Sequence, residues 1–227
     1  MAVAKPNIIL ILTDHFRRDA ISSSTPNLVN LASSGIRFVN AYSASPLCQP
    51  SRTSIITGMY PWQTGICGNQ SDPISNELRD DTFMNHLQRS GYYTSMIGKH
   101  HYIDRYGLGF DVKKDDEEVK RYGFNYVCQV VDDGENIHND DEYTKYLEKK
   151  GLLNEFRLKY KTYSEKYRHP FKKENTADGF IAGKAYDFIK NYNRDNPFYL
   201  NVSFIGHHPP YWHPGELKNA PEKMPPR

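Results

Sequence analysis

The chain has 227 residues, enough for one sizeable domain with a real core. A formal charge of +2 and the lack of any basic stripe exclude an electrostatic nucleic-acid binder. Cysteines at 48, 67 and 128 form neither a disulfide framework nor a metal-type spacing.

The one N-terminal apolar run, Ile8 to Leu12, is too short to cross a membrane. It also lacks the longer apolar core and cleavage site of a signal peptide. As written the chain reads as cytoplasmic, and as periplasmic or secreted if a leader has been removed.

Asn7 to Thr13 is a continuous β-branched apolar run, which predicts a central parallel strand covered on both faces. It leads into Asp14-His15. Ligands of open α/β sheets gather beyond the carboxyl ends of strands, so Asp14 is a site candidate; the alternative is an Asp that caps the next turn. Thr25 to Ala32 reads as a capped helix, with Pro26 at its first position and Gly35 past its end.

Leu47 to Gly58 carries the most chemistry. Pro50 suits a first helical position, Ile55, Ile56 and Met59 recur at helical spacing, and Gly58 can stop the helix. Cys48 is thus predicted just outside a helix N-terminus, where free N–H groups and the dipole favour an anion and lower a thiol's pKa. Arg52 adds a fixed positive charge one turn in. The plainer reading is a small buried Cys at a helix start.

Asp81 to Arg89 predicts an amphipathic helix with Phe83, Met84 and Leu87 inward, and Tyr92 to Ile97 a second buried strand ending in Gly98-Lys99-His100-His101. Asp111 to Val119 reads as a charged surface stretch. Residues 132–175 are polar and Tyr-rich, with helices predicted over Asn139 to Lys150 and Gly151 to Tyr167. Ala177, Phe180, Ile181, Tyr186, Phe188 and Ile189 form a helical core stripe. Phe198 to Phe204 is a third buried strand, followed by Ile205-Gly206-His207-His208-Pro209-Pro210-Tyr211. A zinc site from His207, His208 and His213 lacks a Cys or carboxylate partner at typical spacing. Four segments therefore bring polar residues to a sheet's carboxyl edge or the helix mouth facing it: Asp14-His15, Cys48 to Arg52, Lys99 to His101, and His208.

Cys48-Gln49-Pro50-Ser51-Arg52 with Thr53-Ser54-Ile55-Ile56-Thr57-Gly58 resembles the signature of the type I sulfatases. Thr25-Pro26-Asn27-Leu28, Tyr60-Pro61-Trp62-Gln63-Thr64-Gly65, Gly98-Lys99-His100-His101, Tyr122-Gly123-Phe124-Asn125-Tyr126 and the His208 segment are similar to further family motifs, in the family's order. The resemblance adds an aromatic-rich strand over Ile36 to Tyr42. It implies a three-layer α/β/α fold with a mostly parallel sheet, alkaline-phosphatase-like, with the C-terminal portion missing. Residues 1–227 would be the N-terminal part of the catalytic domain, with a variable insert at about 132–175 whose Tyr, Lys and Arg meet a sulfated sugar.

In that family the Cys becomes formylglycine through a separate maturation enzyme, and a divalent metal completes the site. The implied metal ligands here are Asp14, His15 and the Cys48-derived oxygen, for Ca²⁺, with Mg²⁺ or Mn²⁺ as alternatives. His15 stands where the family has a second acid, which bears on how a hard cation is held. Lys99 and Arg52 neutralise charge, His101 takes a proton from the nucleophile, and His208 protonates the leaving oxygen. His100 replaces the family's Trp, and His207 a Pro. Later metal ligands and a second Lys have no counterpart here, and Glu222 to Arg227 reads as the middle of a connection. The implied function is hydrolysis of a carbohydrate or aryl sulfate ester, without nucleic-acid or membrane partners. The alternatives are a phosphonate or phosphodiester hydrolase of the same superfamily, and a catalytically incomplete binder of anionic glycans.

Overall fold

The computed structural model describes residues 5–69, 72–103, 109, 111–132, 134–164, 168–206, 208–209 and 211–217. In chain order these form β1 (Ile8–Thr13), α1 (Pro26–Ser34), α2 (Cys48–Thr57), α3 (Pro61–Thr64), α4 (Asn76–Asp80), α5 (Phe83–Arg89), β2 (Tyr93–Gly98), α6 (Asp116–Lys120), β3 (Tyr126–Gln129), α7 (Glu142–Lys149), α8 (Leu153–Ser164), α9 (Ala177–Asn191) and β4 (Phe198–Phe204). His207, residues 165–167 and Glu222 to Arg227 lie outside the described residues.

The strands pair in parallel in the order β1-β4-β2-β3. Parallel neighbours need crossovers, and helices supply each of them. Alternate side chains of each strand enter opposite layers. Ile97, Leu200 and Val202 pack with Leu147 of α7, Phe156 of α8 and Ile181 of α9. Met96, Val127 and Tyr199 pack on the other face with Ile56 of α2, Met84 of α5 and Val119 of α6. The expected α/β fold with a parallel sheet between helices is what the chain forms.

Three expectations need correction. β1 lies at the sheet's edge among the described residues, with β4 its one neighbour there, and the face that carries Ile9 (46% exposed) and Ile11 (57% exposed) is open rather than covered. Ile36 to Tyr42 forms no strand. Its β propensity finds no ladder to join, and Tyr42 is 89% exposed. Asp111 to Val119 is not merely a charged surface. It forms a 3₁₀ turn and α6, burying Val112 and Val119, and Asp116 accepts from Gln129.

The polar stretch 132–175 also supplies core residues. Tyr143, Leu147, Phe156 and Phe171 belong to the core, and the Tyr143 hydroxyl donates to Asn175 O across 2.8 Å. Apolar residues at helical spacing among the charges of α7 carry this burial. Asp141 caps α7, accepting from Thr144 N–H at 2.7 Å.

Candidate active site

Because the strands are parallel, their carboxyl ends share one side of the sheet, and each leads into a chemically active residue. β1 leads to Asp14 and His15, β2 to Lys99–His101, β3 to Asp132 and β4 to His208. Gly98 makes the turn after β2. It holds φ +106, and a β-carbon there would lie 1.9 Å from Ser203 O, so no other residue fits. The Lys99 N–H then donates to Ser203 O at 3.0 Å. After β4, Asp178 of α9 accepts from the Ile205 and Gly206 N–H groups, which fixes the path toward His208.

Cys48 is the first residue of α2 rather than a residue outside it, and Leu47 is the cap, in extended backbone. Pro50 therefore sits third. It is tolerated there because the first four N–H groups of a helix have no intrahelical partner. One turn on, buried Arg52 ties three segments together. Its Nη2 donates to Asp14 Oδ1 at 2.9 Å, and its Nη1 to Lys99 O and Ser203 Oγ, each at 2.8 Å.

Lys99 is buried between two carboxylates, with Nζ 2.6 Å from Asp14 Oδ2 and 2.8 Å from Asp132 Oδ2. Burial alone would lower its pKa, but Asp132 and Asp14 outweigh that and raise it. Burial likewise pushes Asp14 upward, and the charges of Arg52 and Lys99 overturn this, leaving its carboxyl at about 2.

The Cys48 sulfur lies 4.0 Å from both Asp14 Oδ2 and Lys99 Nζ. Hydrogen bonds with His101 and His208, aided by Lys99 and opposed by burial, bring its thiol down to about 6. The same bond with Cys48 raises His208. His208 Nδ1–H donates to Pro209 O at 2.8 Å, and its Nε2 is 3.9 Å from Asp132 Oδ2. His15 and His101 hold left-handed backbone at φ 53 and 51, uncommon for a side-chain-bearing residue. A cleft of about 310 Å³ opens beside these groups, lined by Asp14, His15, Cys48, Arg52, Ser43 and Ser45 among others.

The sequence-derived candidates Asp14, His15, Cys48, Arg52, Lys99, His101 and His208 are thus brought together. His213 is elsewhere, bridged to Arg168. His100 turns inward. Its Nδ1 accepts from Tyr102 N–H, so Nε2 carries the proton of the neutral ring and donates to Gln129 Oε1 at 2.6 Å, and burial drives its pKa down to about 3. Sequence reading missed Asp132. The signal was present in an acid shortly after Tyr126–Gln129, but that strand is only four residues long.

The described residues of this chain do not by themselves fit a hard divalent cation. Such an ion takes about six or more oxygen ligands. Among the described residues Asp14 is the one carboxylate within 4.0 Å of the Cys48 sulfur, and its two oxygens already accept from Arg52 and Lys99. Asp14, Asp132 and His208 also cluster, but the Lys99 ammonium occupies the space between the two carboxylates.

Fold and geometry define a parallel α/β protein with a thiol at a helix mouth, flanked by buried cations and histidines. The chain matches the sulfatase family over residues 6–226 and belongs to it. It is 30% identical to an arylsulfatase of Clostridium perfringens over 91% of this chain and 44% of that protein. It is 32% identical to an N-acetylglucosamine-6-O-sulfatase of Bacteroides thetaiotaomicron over 86% of this chain and 29% of that protein. The chain thus spans less than half the length of these relatives.

Among solved structures it resembles a phosphonate monoester hydrolase of Agrobacterium radiobacter, with TM-score 0.71 and 22% identity over 93% of this chain and 43% of that chain. It also resembles BT4656 in complex with its substrate D-glucosamine-2-N,6-O-disulfate, with TM-score 0.59 and 23% identity over 90% of this chain and 35% of that chain. At these identities the likeness is one of fold. Among the described residues, no helix is long and apolar enough to cross a membrane.

Proposed function

We propose that the complete protein hydrolyses a sulfate ester, using formylglycine made from Cys48 by a separate maturation enzyme. The observation that carries this reading is the setting of Cys48: first in a helix, its sulfur 4.0 Å from Lys99 Nζ and from Asp14, with ring nitrogens of His15 and His208 within 4.8 Å. Formylglycine at this position would supply, as its hydrate, one hydroxyl to attack sulfur and a second through which sulfate leaves.

The chain's own residues then have distinct tasks. Pro209 O holds the Nδ1 proton of His208, which leaves Nε2 to hold or release a proton toward the ester oxygen. His101 takes a proton at position 48. The Lys99 ammonium faces the sulfate charge. Arg52 is committed to Asp14, Lys99 O and Ser203, so it acts by fixing the geometry of the others.

The sulfated glucosamine bound by BT4656 and the name of the Bacteroides relative favour a sulfated carbohydrate as substrate. The test uses protein purified from its native host, with an aryl sulfate, a 6-O-sulfated glucosamine and an aryl phosphonate monoester. Sulfate release that is abolished in Cys48→Ala supports the reading. Faster phosphonate turnover overturns it in favour of a phosphonate hydrolase. Sugar binding in calorimetry without turnover of any ester overturns it in favour of a binding protein.

A further inference from the structure

Histidines from three separate segments surround one sulfur. His15 follows β1, His101 follows β2 and His208 follows β4. The ligand atoms of His15, Cys48 and His208 lie within 4.8 Å of one another, and His101 hydrogen-bonds with the same thiol. The His15 and His208 rings meet edge to face with centroids 5.4 Å apart.

Three features favour a cation among them. The first is charge. Lys99, the cation 4.0 Å from the Cys48 sulfur, is already shared between Asp14 and Asp132 and Arg52 is paired with Asp14, so the negative charge of a Cys48 thiolate is only partly compensated. The second is orientation. Pro209 O accepts the Nδ1 proton of His208, which leaves Nε2 with a lone pair; metal-bound histidines are usually anchored in this way at the other ring nitrogen. The third is backbone strain, which gathers at binding sites. His15 and His101 both hold positive φ, and these two are the only such non-glycine residues among those described.

We propose that, while position 48 is still a thiol, Cys48, His15 and His208 bind one Zn²⁺-class ion, with water in the fourth position. One sulfur and two imidazoles suit a borderline transition ion and not Ca²⁺ or Mg²⁺. Zinc bond lengths put neighbouring ligand atoms about 3.5 Å apart, so the group must contract by roughly 1 Å. His15 is exposed and its side chain can rotate to supply this. A metal on the sulfur shields it from electrophiles and oxidants, so metal loading and conversion of Cys48 exclude one another. The site requires only the thiol and the histidines, and stands whether or not the protein hydrolyses sulfate esters.

The test uses the full chain from a host without maturation activity, with the Cys48 thiol verified by peptide mass. Zn²⁺ is titrated against a chromophoric chelator, and Co²⁺ serves as the spectroscopic probe. The expected result is one ion per chain, with a thiolate-to-cobalt charge-transfer band that is lost in Cys48→Ser. His15→Asn and His208→Asn should each weaken binding on the order of tenfold or more, about 1.4 kcal/mol. Zn²⁺ should slow alkylation of Cys48 and spare the rate at exposed Cys67. Absence of the charge-transfer band in the unsubstituted chain would overturn the proposal without reference to any variant. So would binding that survives Cys48→Ser unchanged, or displacement of Zn²⁺ by equimolar Ca²⁺.

Discussion

Lys99 Nζ donates to Asp14 Oδ2 across 2.6 Å, joining the end of β2 to the end of β1 over the strand β4 that separates them. Arg52 repeats the link from α2, reaching Asp14 on one side and Ser203 of β4 on the other. With the Lys99–Asp132 pair beyond β3, four strand ends and one helix mouth are thus fixed by two buried cations. Removing one cation leaves buried carboxylates uncompensated. Lys99→Met is expected to lower unfolding stability by about 3 kcal/mol, read from urea midpoints. An unchanged midpoint would mean that the pair does not hold the site together.

The same contacts set an acid limb. Asp14 has its folded-state pKa lowered to about 2 from an ordinary 3.8. Its contribution to stability is therefore complete above about pH 4 and is lost as pH falls through 2, a total of about 2 kcal/mol. Urea midpoints of the unsubstituted chain and Asp14→Asn should converge over that window. Curves that stay parallel from pH 5 to 2 would contradict the assigned contacts.

Buried histidines work in the other direction along the scale. Burial lowers both His100 and His169 from 6.5 to about 3. Below pH 6.5 the unfolded chain binds protons that the folded chain refuses, so stability falls with acidification. Each site contributes about 1.4 kcal/mol per pH unit. Asp141, raised to about 6 by burial, takes up a proton in the folded state and offsets one of the two below pH 6. His100→Gln should flatten the slope between pH 6 and 4 by that single-site amount. A slope identical to that of the unsubstituted chain would show that His100 is not buried as a neutral ring.

Cys48 should behave as a reactive thiol when unconverted and free of metal. With its thiol at about 6, alkylation by iodoacetamide should rise through a midpoint near pH 6. His101→Gln or His208→Gln should move that midpoint up toward the ordinary thiol value. Buried Cys128, its thiol raised by burial to about 12, should stay unmodified. Peptide mapping separates the sites, and equal rates at Cys48 and Cys128 would contradict the assignment.

Most of the site was legible because its parts are local. β1 and β4 are apolar runs that stop at polar residues, and those stops are the functional positions. What is not local was not legible. Asp132 follows a strand of only four residues, too short to show a period, and its role depends on pairing with Lys99, 33 positions away. The inward turn of His100 depends on Gln129, and nothing in the His100-His101 dipeptide says which ring faces the site. Ile36 to Tyr42 carries strand-forming residues, but a strand exists only where a neighbour offers a ladder.

Peptide mapping across Cys48, in protein taken from its native host and labelled with a hydrazide, tests the central claim most directly. The proposed function predicts an aldehyde at position 48 that reacts with the label. An unmodified thiol at that position, in a host that demonstrably matures another protein carrying the same motif, would contradict it.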